Sequence, residues 1–169
     1  MRERPDYTAY VTERSPRLLR TAYLLCRDWG VAEDLLQTAL VKAWRAWWRI
    51  GDDPDPYVYR ILVNTHASWT RRRWRGELPT DPPPERADPA DAMGAAEDKA
   101  MLWAALGRLP RGQRAALVLR FFEDLSEPQV AAILGCSVGT VKSQTSKALA
   151  KLRIDPEIVT AMPRGGTNR

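Results

Sequence analysis

Residues 125–153 read LSEPQVAAILGCSVGTVKSQTSKALAKLR, and this stretch predicts the fold of the second half of the chain. Ser126 is followed three residues later by Gln129, which is the spacing of a capping box, where a hydroxyl and an amide satisfy backbone groups at a helix start. Pro128 falls in the first turn, where its missing N–H would have had no intrahelical partner. A helix is therefore predicted to begin near Glu127.

A second helix is predicted after a short turn. Gly135 stands just past Leu134, where a residue of positive φ can end a helix, and Ser137 can cap a second helix over about residues 138–153. Two helices joined by a three-residue turn, with small residues where they cross, are typical of a helix-turn-helix.

The polar side of this second helix suits a DNA groove. The residues expected to face inward at helical spacing are Val141, Ala148, Leu149 and Leu152. The residues left facing outward are Lys142, Ser143, Gln144, Ser146 and Lys147. Lysines neutralise phosphates, Ser and Gln can hydrogen-bond to base edges, and free N–H groups near Gly139 and Thr140 can bind a phosphate oxygen. The alternative is a solvated polar face on an ordinary helical hairpin.

Charge is unevenly distributed along the 169 residues, whose net charge is +5. Residues 1–75 have a net charge of +5, residues 76–98 of −6 and residues 99–169 of +6. The acidic segment is rich in proline over residues 76–92 and cannot build a core. Two basic ends joined by such a tether predict two modules that face nucleic acid.

Composition and motifs argue against several other classes of protein. Cys26 and Cys136 are far apart and lack zinc-ligand spacing, so neither a disulfide framework nor a metal site is expected. His66, the single histidine, has no visible nucleophile or carboxylate partner, and no phosphate-binding loop suggests a cofactor. No apolar run reaches the length of a membrane span, and no signal peptide is visible, which predicts a cytoplasmic protein.

The first half of the chain predicts three helices with apolar faces. They cover about residues 7–26, 32–48 and 57–74. Asp55 is expected to cap the third helix, because it directly precedes a proline that can occupy the first turn. Core packing is favoured for each of Trp44, Trp47 and Trp48 on the second helix.

The end of the third helix is rich in arginine and tryptophan. Arg71, Arg72 and Arg73 interleave with Trp69 and Trp74, a pattern that can hold unpaired nucleic acid through backbone charge and base stacking. Trp69 also continues the apolar face and is expected to pack inward. The alternative is a solvated helix end whose arginines complement the helix dipole.

Two further helices are predicted before the helix-turn-helix, one over about residues 101–109 that Pro110 stops, and one with apolar residues over 115–122. Packed beneath the helix-turn-helix, they would complete a four-helix domain. The predicted fold class is all-α, with a three-helix domain and a four-helix domain joined by a flexible acidic, proline-rich linker. The predicted bounds are 1–75 for the first domain, 76–94 for the linker, 95–154 for the second domain and 155–169 for a disordered tail.

The order of these parts resembles a known family. The parts similar to region 4 of bacterial extracytoplasmic-function (ECF) sigma factors are Leu109-Pro110, Arg114, Leu117, Leu119-Arg120, Leu125-Ser126 and the run GCSVGTVKS over residues 135–143. The parts that resemble region 2 are the run AEDLLQ over residues 32–37, Ala43-Trp44 and the helix over 57–74. The chain is therefore identified as a member of the ECF RNA polymerase sigma factors of the sigma-70 family, most similar to the sigma-E family of actinomycete type.

The resemblance implies a dissociable, non-enzymatic subunit that binds core RNA polymerase, recognises a promoter and helps to melt it. The implied partners are promoter DNA and core RNA polymerase, which is contacted through its β′ clamp helices and β flap. The resemblance leaves open whether an anti-sigma factor binds the chain, and no membrane partner is expected. The implied polymerase-binding residues are Asp34, Leu35, Gln37, Thr38 and Val41. In the family, the end of the second helix, the following loop and the third helix meet the minus-10 element. The implied minus-10 residues are Asn64, Trp69, Arg71, Arg72 and Arg73. The implied minus-35 residues are Ser137, Thr140, Lys142, Ser143, Gln144, Ser146 and Lys147.

Two residues depart from the family pattern. Family members usually have Arg at the position of Gln144, and an amide there could favour adenine over guanine. An acidic residue is common at the position of Thr38. The main alternative function is a helix-turn-helix transcription regulator whose N-terminal half senses a ligand or a partner, since the two-helix motif is widely shared.

Overall fold

The computed structural model describes residues 5–74 and 104–153, with all of their side chains except those of Arg73 and Trp74. These residues form helices and connecting turns, and no strand occurs among them. The predicted all-α fold is confirmed.

The chain divides into two compact units, Met1–Arg86 and Ala87–Arg169. This division confirms the prediction of two helical domains. The predicted linker over 76–94 and the predicted tail over 155–169 lie outside the described residues.

The first unit contains three helices that pack against one another. They are α1 (Tyr7–Cys26), α2 (Trp29–Ala46), which continues through a 3-10 turn (Trp47–Arg49), and α3 (Asp55–Trp74). Among the buried side chains shared by the three helices are Leu18, Ala22, Leu25, Leu35, Ala39, Ala43, Val58, Leu62 and Thr65. Within each helix these residues recur at helical spacing in the sequence, so the core of this unit follows the predicted apolar faces.

Two helix starts differ from the sequence-based prediction. The second helix begins three residues earlier than expected, because the Asp28 side chain accepts a hydrogen bond from the Val31 N–H (2.9 Å) and caps it there. Asp55 was predicted to cap α3, but it lies within the first turn and its carboxylate contacts α1 instead. A carboxylate in a first turn still complements the helix dipole.

In the second unit, the helix-turn-helix packs against the helix and the π-helical turn that precede it. The described part of α4 covers 104–108 and is followed by α5 (Arg111–Leu117), a π-helical turn (Val118–Phe122), α6 (Glu127–Leu134) and α7 (Val138–Leu152). The Arg114 guanidinium donates hydrogen bonds to the carbonyls of Leu106 (3.0 Å), Gly107 (3.2 Å) and Leu109 (3.1 Å). The Leu106 carbonyl also accepts from the Leu109 N–H (3.2 Å). Because the last carbonyls of a helix lack α-helical donors, these bonds from Arg114 hold the end of α4 onto α5.

The predicted caps of the helix-turn-helix are confirmed. The Ser126 N–H donates to Gln129 Oε1 (2.9 Å), and the Gln129 N–H donates to Ser126 Oγ (3.3 Å), which completes the capping box. Gly135 ends α6 with φ 67°, and the Cys136 N–H returns to the Ala131 carbonyl (3.1 Å). Three residues therefore separate α6 from α7, as the sequence predicted.

Gly135→Ala is expected to lower the free energy of unfolding of the second unit by about 1 kcal/mol, because its positive φ disfavours a side chain. A Cβ at this position would meet nothing within 4 Å, so the cost is conformational rather than steric. Amide hydrogen exchange in α6 and α7 measures the change. Gly139→Ala is the matched control, since Gly139 lies in α7 without a positive φ and should gain helix stability. Equal effects of the two substitutions would contradict this account.

Candidate nucleic-acid and partner interfaces

The outer face of α7 is polar and basic, as its spacing predicted. Val141, Ala148 and Leu152 are buried in the second unit. The exposed side chains on the opposite side are those of Thr140, Lys142, Ser143, Ser146 and Lys147. Because a recognition helix reads a groove with its N-terminal residues, these side chains stand where a duplex could reach them.

The first turn of α7 is organised by two hydroxyls. Ser137 Oγ accepts a hydrogen bond from the Thr140 N–H (3.1 Å) and lies 2.9 Å from Thr140 Oγ1. The capping bond orders the start of the helix before any ligand arrives. Both residues are exposed, so Ser137 and Thr140 can contact a phosphate group while keeping this cap.

Lys142 has a neighbour that sequence reasoning missed. Its Nζ lies 3.9 Å from Glu127 Oε2 at the start of α6, and that oxygen is buried without a hydrogen-bond donor among the described residues. A phosphate that binds Lys142 must therefore compete with this carboxylate. Because the two helices of the motif cross here, pairing between residues fifteen positions apart gives no signal in local spacing.

Gln144 differs from the other candidates on α7. It is only half-exposed, and its Nε2 lies 3.5 Å from the position that a Cβ on Gly112 would occupy. The side chain thus lies at the border between the outer face of α7 and the start of α5. A side chain at this border reaches a groove from the edge of the recognition helix rather than from its centre.

The exposed face of α3 contains some of the predicted residues and two others. Asn64 and Arg71 are exposed and lie seven residues apart, so they share one side of the helix. Tyr57 and Arg60 are exposed on the same side and were missed, although their spacing of seven and four residues from Asn64 was a readable signal.

The remaining candidates on α3 do not join this face. Arg72 is exposed on a neighbouring side of the helix. Trp69 is half-buried on the core side, in line with the buried residues Leu62 and Thr65. Trp69 therefore packs partly inward, as expected, and less of its ring is open for base stacking. Arg73 lies within α3, and its side chain is outside the described set.

The outer face of α2 brings together most of the predicted partner-binding residues. Asp34, Gln37 and Val41 are exposed at helical spacing, and Thr38 is half-buried beside them. Leu35 was also predicted to bind the polymerase, but its side chain is 0% exposed and belongs to the core of the first unit. Since a fully buried side chain cannot touch a partner, Leu35 supports the face without forming part of it.

An apolar stripe extends this face toward the end of α2. Val41, Trp44 and Trp48 are 49%, 60% and 62% exposed, whereas Trp47 is buried. Core packing was favoured for all three tryptophans, and for Trp44 and Trp48 this was wrong, because α1 and α3 bury Trp47 but leave most of the surface of the other two open. The Arg49 guanidinium lies 5.3 Å from the centre of the Trp48 ring, at cation–π distance. Exposed large apolar side chains in a row are typical of a surface that binds a partner.

The aromatic side chains of α1 meet the end of α2. The Tyr7 ring lies 4.8 Å from Trp44 and 5.1 Å from Trp47, and its hydroxyl donates to the Leu40 carbonyl (2.8 Å). The Trp47 indole N–H donates to the Pro5 carbonyl (2.8 Å). Burial raises the pKa of the Tyr7 hydroxyl, which therefore stays protonated and donating at working pH. The N-terminal residues thus fix the end of α2.

Two features are absent from the described residues. Within 5–74 and 104–153, no group of three or more His, Cys, Asp or Glu side chains is placed to hold a metal ion. In the same residues, no helix is both long enough and apolar enough to cross a bilayer.

A helical unit with an exposed apolar helix face, in one chain with a helix-turn-helix of basic outer face, is typical of DNA-binding transcription proteins that also bind a protein partner. Two family models match the chain, sigma-70 region 2 over residues 10–76 and sigma-70 region 4 over residues 99–152. An RNA polymerase sigma-E factor of Streptomyces avermitilis is 41% identical over 154 residues, which cover 90% of this chain and 86% of the relative. ECF RNA polymerase sigma factor SigL of Mycobacterium tuberculosis is 30% identical over 153 residues, covering 86% of each chain.

Solved structures agree with these sequence matches. The sigma factor RpoE in complex with the anti-sigma factor NepR from Bartonella quintana superposes with a TM-score of 0.75 at 27% identity, covering 92% of this chain and 98% of RpoE. CnrH in complex with the cytosolic domain of CnrY gives a TM-score of 0.63 at 26% identity, covering 88% and 85%. The chain belongs to the ECF group of the sigma-70 family and is an RNA polymerase sigma factor. Sigma factors are non-catalytic transcription initiation factors that bind core RNA polymerase and promoter DNA.

Proposed function

We propose that this sigma factor binds its partners through three surfaces, two on the first unit and one on the second. The outer face of α2 binds the β′ clamp helices of core RNA polymerase, the exposed face of α3 meets the minus-10 element, and the outer face of α7 reads the minus-35 element. The observation that carries the proposal is the exposed row of Gln37, Val41, Trp44 and Trp48 on α2, within the part of the chain that matches region 2.

The polymerase-binding face is defined by Asp34, Gln37, Thr38 and Val41. Trp44 continues it along the same helix and enlarges its apolar centre. Large aromatic and aliphatic side chains that bury into a partner supply most of the binding energy in protein interfaces, and charged groups at the rim set orientation. Asp34 and Arg45 are exposed beside the apolar row and provide such a rim.

The DNA-binding surfaces combine charge with groups that can hydrogen-bond. On α3 they are Arg60, Asn64, Arg71 and Arg72, with Arg73 following along the helix. On α7 the two lysines supply phosphate contacts, and Ser143, Gln144 and Ser146 stand where base edges can be read. Ser137 and Thr140 complete the set at the helix start. The β flap is the proposed polymerase partner of the second unit.

Regulation and location follow from the same assignment. The anti-sigma factor NepR is bound to the sigma factor RpoE in one of the similar solved structures, and we extend this to an anti-sigma partner for the present chain. Such a partner would cover the same exposed apolar row that core polymerase needs.

Because a sigma factor acts with core polymerase on the chromosome, the cytoplasm is the proposed location, and no catalytic activity of its own is proposed. The domain bounds of 1–75, 76–94 and 95–154 stand as part of this proposal.

The test is transcription in vitro with the purified chain and core RNA polymerase over a library of genomic fragments. Initiation should require the chain and should occur at sites that share two separated sequence elements. Core polymerase alone is the control. If the chain fails to bind core polymerase but binds duplex DNA alone with nanomolar-range affinity, the alternative of a helix-turn-helix regulator is correct.

A further inference from the structure

The loop of residues 50–54, which joins the end of α2 to α3, is held at both ends by α1. Just before the loop, the Trp47 ring packs against the Tyr10 ring with 5.1 Å between their centres and 51° between their planes. Just after the loop, the Tyr10 hydroxyl donates a hydrogen bond to Asp55 Oδ1 (2.8 Å). One buried side chain of α1 therefore spans the two anchor points of the loop.

Arg14 strengthens the second anchor. Its Nε donates to Asp55 Oδ1 (3.1 Å), and its guanidinium also forms an ion pair with Asp55 Oδ2. A guanidinium that contacts both carboxylate oxygens fixes the direction of the carboxylate as well as its position. Because Asp55 is the first residue of α3, this contact fixes where the helix begins.

The loop itself is short and mostly open to solvent. Gly51, Asp52 and Asp53 are exposed, and Pro54 is buried. Local bonds occur at both of its ends, from the Ile50 N–H to the Trp47 carbonyl (3.2 Å), from the Asp55 N–H to Asp53 Oδ1 (3.3 Å) and from the Val58 N–H to the Pro54 carbonyl (3.0 Å). Because the loop is so short, the positions of its two anchors constrain its path.

The Tyr10 hydroxyl is well suited to a permanent contact. Tyr10 is buried, and this burial raises the pKa of its hydroxyl far above the ordinary value, against the lowering effect of Arg14. The hydroxyl therefore remains a donor throughout the working pH range. The anchor does not switch with pH.

We infer that Tyr10 and Arg14 are positioning residues that set the path of the 50–54 loop and thereby the base preference at the minus-10 element. This inference rests on the proposed function, in which α3 meets the minus-10 element, and extends that surface to the loop that precedes α3. The exposed side chain of Tyr57, just after the loop, would be presented differently to unpaired bases if the anchors moved. Neither Tyr10 nor Arg14 needs to touch DNA for this effect.

The test compares Tyr10→Phe with the wild-type chain in holoenzyme transcription from a library randomised at the minus-10 element. The phenylalanine keeps the ring on Trp47 and removes only the donor to Asp55. The preference for the best minus-10 sequence over single substitutions should fall by about threefold or more, as for mutations that act through a neighbour. Core polymerase affinity and the dependence on the minus-35 element should stay unchanged. Arg14→Gln, at a half-exposed site, tests the same anchor from its other partner.

Tyr7→Phe is the matched control. It also removes one hydroxyl of α1 that donates a 2.8 Å hydrogen bond, but its acceptor is the Leu40 carbonyl in the middle of α2. An unchanged minus-10 profile in both Tyr10→Phe and Arg14→Gln would overturn the inference, as would an equal change in Tyr7→Phe. Failure of the wild-type chain to bind core polymerase or to initiate would instead overturn the proposed function, and this inference with it.

Discussion

Replacing Lys142 and Lys147 together by alanine is expected to weaken promoter binding by the holoenzyme about 30-fold at about 0.15 M salt. Both side chains are exposed on the outer face of α7. Each lysine that neutralises a phosphate releases a counterion, so the slope of log affinity against log salt should become less steep by about two. Promoter binding measured across a salt series gives both quantities, and the loss should be similar for all promoter sequences.

The matched control removes the same charge from the other end of the same helix. Lys151 and Arg153 are exposed in the last turn of α7 and beyond it, away from the N-terminal half that a recognition helix inserts into a groove. Replacing both by alanine should change the salt slope far less. An equal loss in the two double variants would mean that net charge, and not the outer face of α7, binds the promoter.

Glu127→Gln is expected to change promoter affinity in the opposite direction. It removes the carboxylate that lies 3.9 Å from Lys142 Nζ and leaves the size of the side chain unchanged. Because the carboxylate and a phosphate compete for the same ammonium, this variant should bind the promoter more tightly. The effect is expected to be small, since the ammonium of Lys142 is largely exposed and solvent screens the pair.

Val41→Asp is expected to lower the affinity for core RNA polymerase by at least about tenfold, because an interface core excludes water and would leave the new carboxylate unpaired. Val41 is 49% exposed between Gln37 and Trp44 on the outer face of α2. The free protein should fold as before, since the side chain is only partly buried. Binding of a labelled chain to core polymerase gives the affinity, and circular dichroism checks the helix content.

Thr12→Asp is the control for the added charge. Thr12 is exposed on α1, outside the proposed polymerase-binding face. Its variant should bind core polymerase as the wild type does. Wild-type affinity in Val41→Asp, with folding intact, would refute the placement of the polymerase on α2.

The helix-turn-helix was predictable almost residue by residue. The capping box of Ser126 and Gln129, the positive φ of Gly135 and the cap at Ser137 all formed where the sequence placed them. These interactions join residues at most five positions apart. They therefore depend on local chemistry that the surrounding fold does not alter.

Predictions for the first unit were less complete. The apolar spacing identified the core residues correctly, but it did not separate Trp47 from Trp44 and Trp48. Trp47 continues the spacing of Ala39, Leu40 and Ala43, whereas Trp44 lies at the border of the apolar side of α2 and Trp48 lies beyond it. How much of each ring is covered depends on where α1 and α3 lie against α2.

The candidate surfaces show the same division. Exposed residues on α7 followed from periodicity, and so did Asp34, Gln37 and Val41 on α2. Leu35 was chosen by its place in a family motif, and it is buried. A motif identifies a segment, whereas exposure decides which side chains of that segment can reach a partner.

The sequence by itself determined the all-helical fold, the ends of α6 and α7, and the basic outer face of α7, because caps and periodicity act within a few residues. Only the tertiary structure decided that Trp44 and Trp48 are open to solvent, that Glu127 lies beside Lys142, and that Asp55 is held by Tyr10 and Arg14. These contacts join different helices, in the last case residues more than forty positions apart. Their partners are selected by helix packing, which no local pattern specifies.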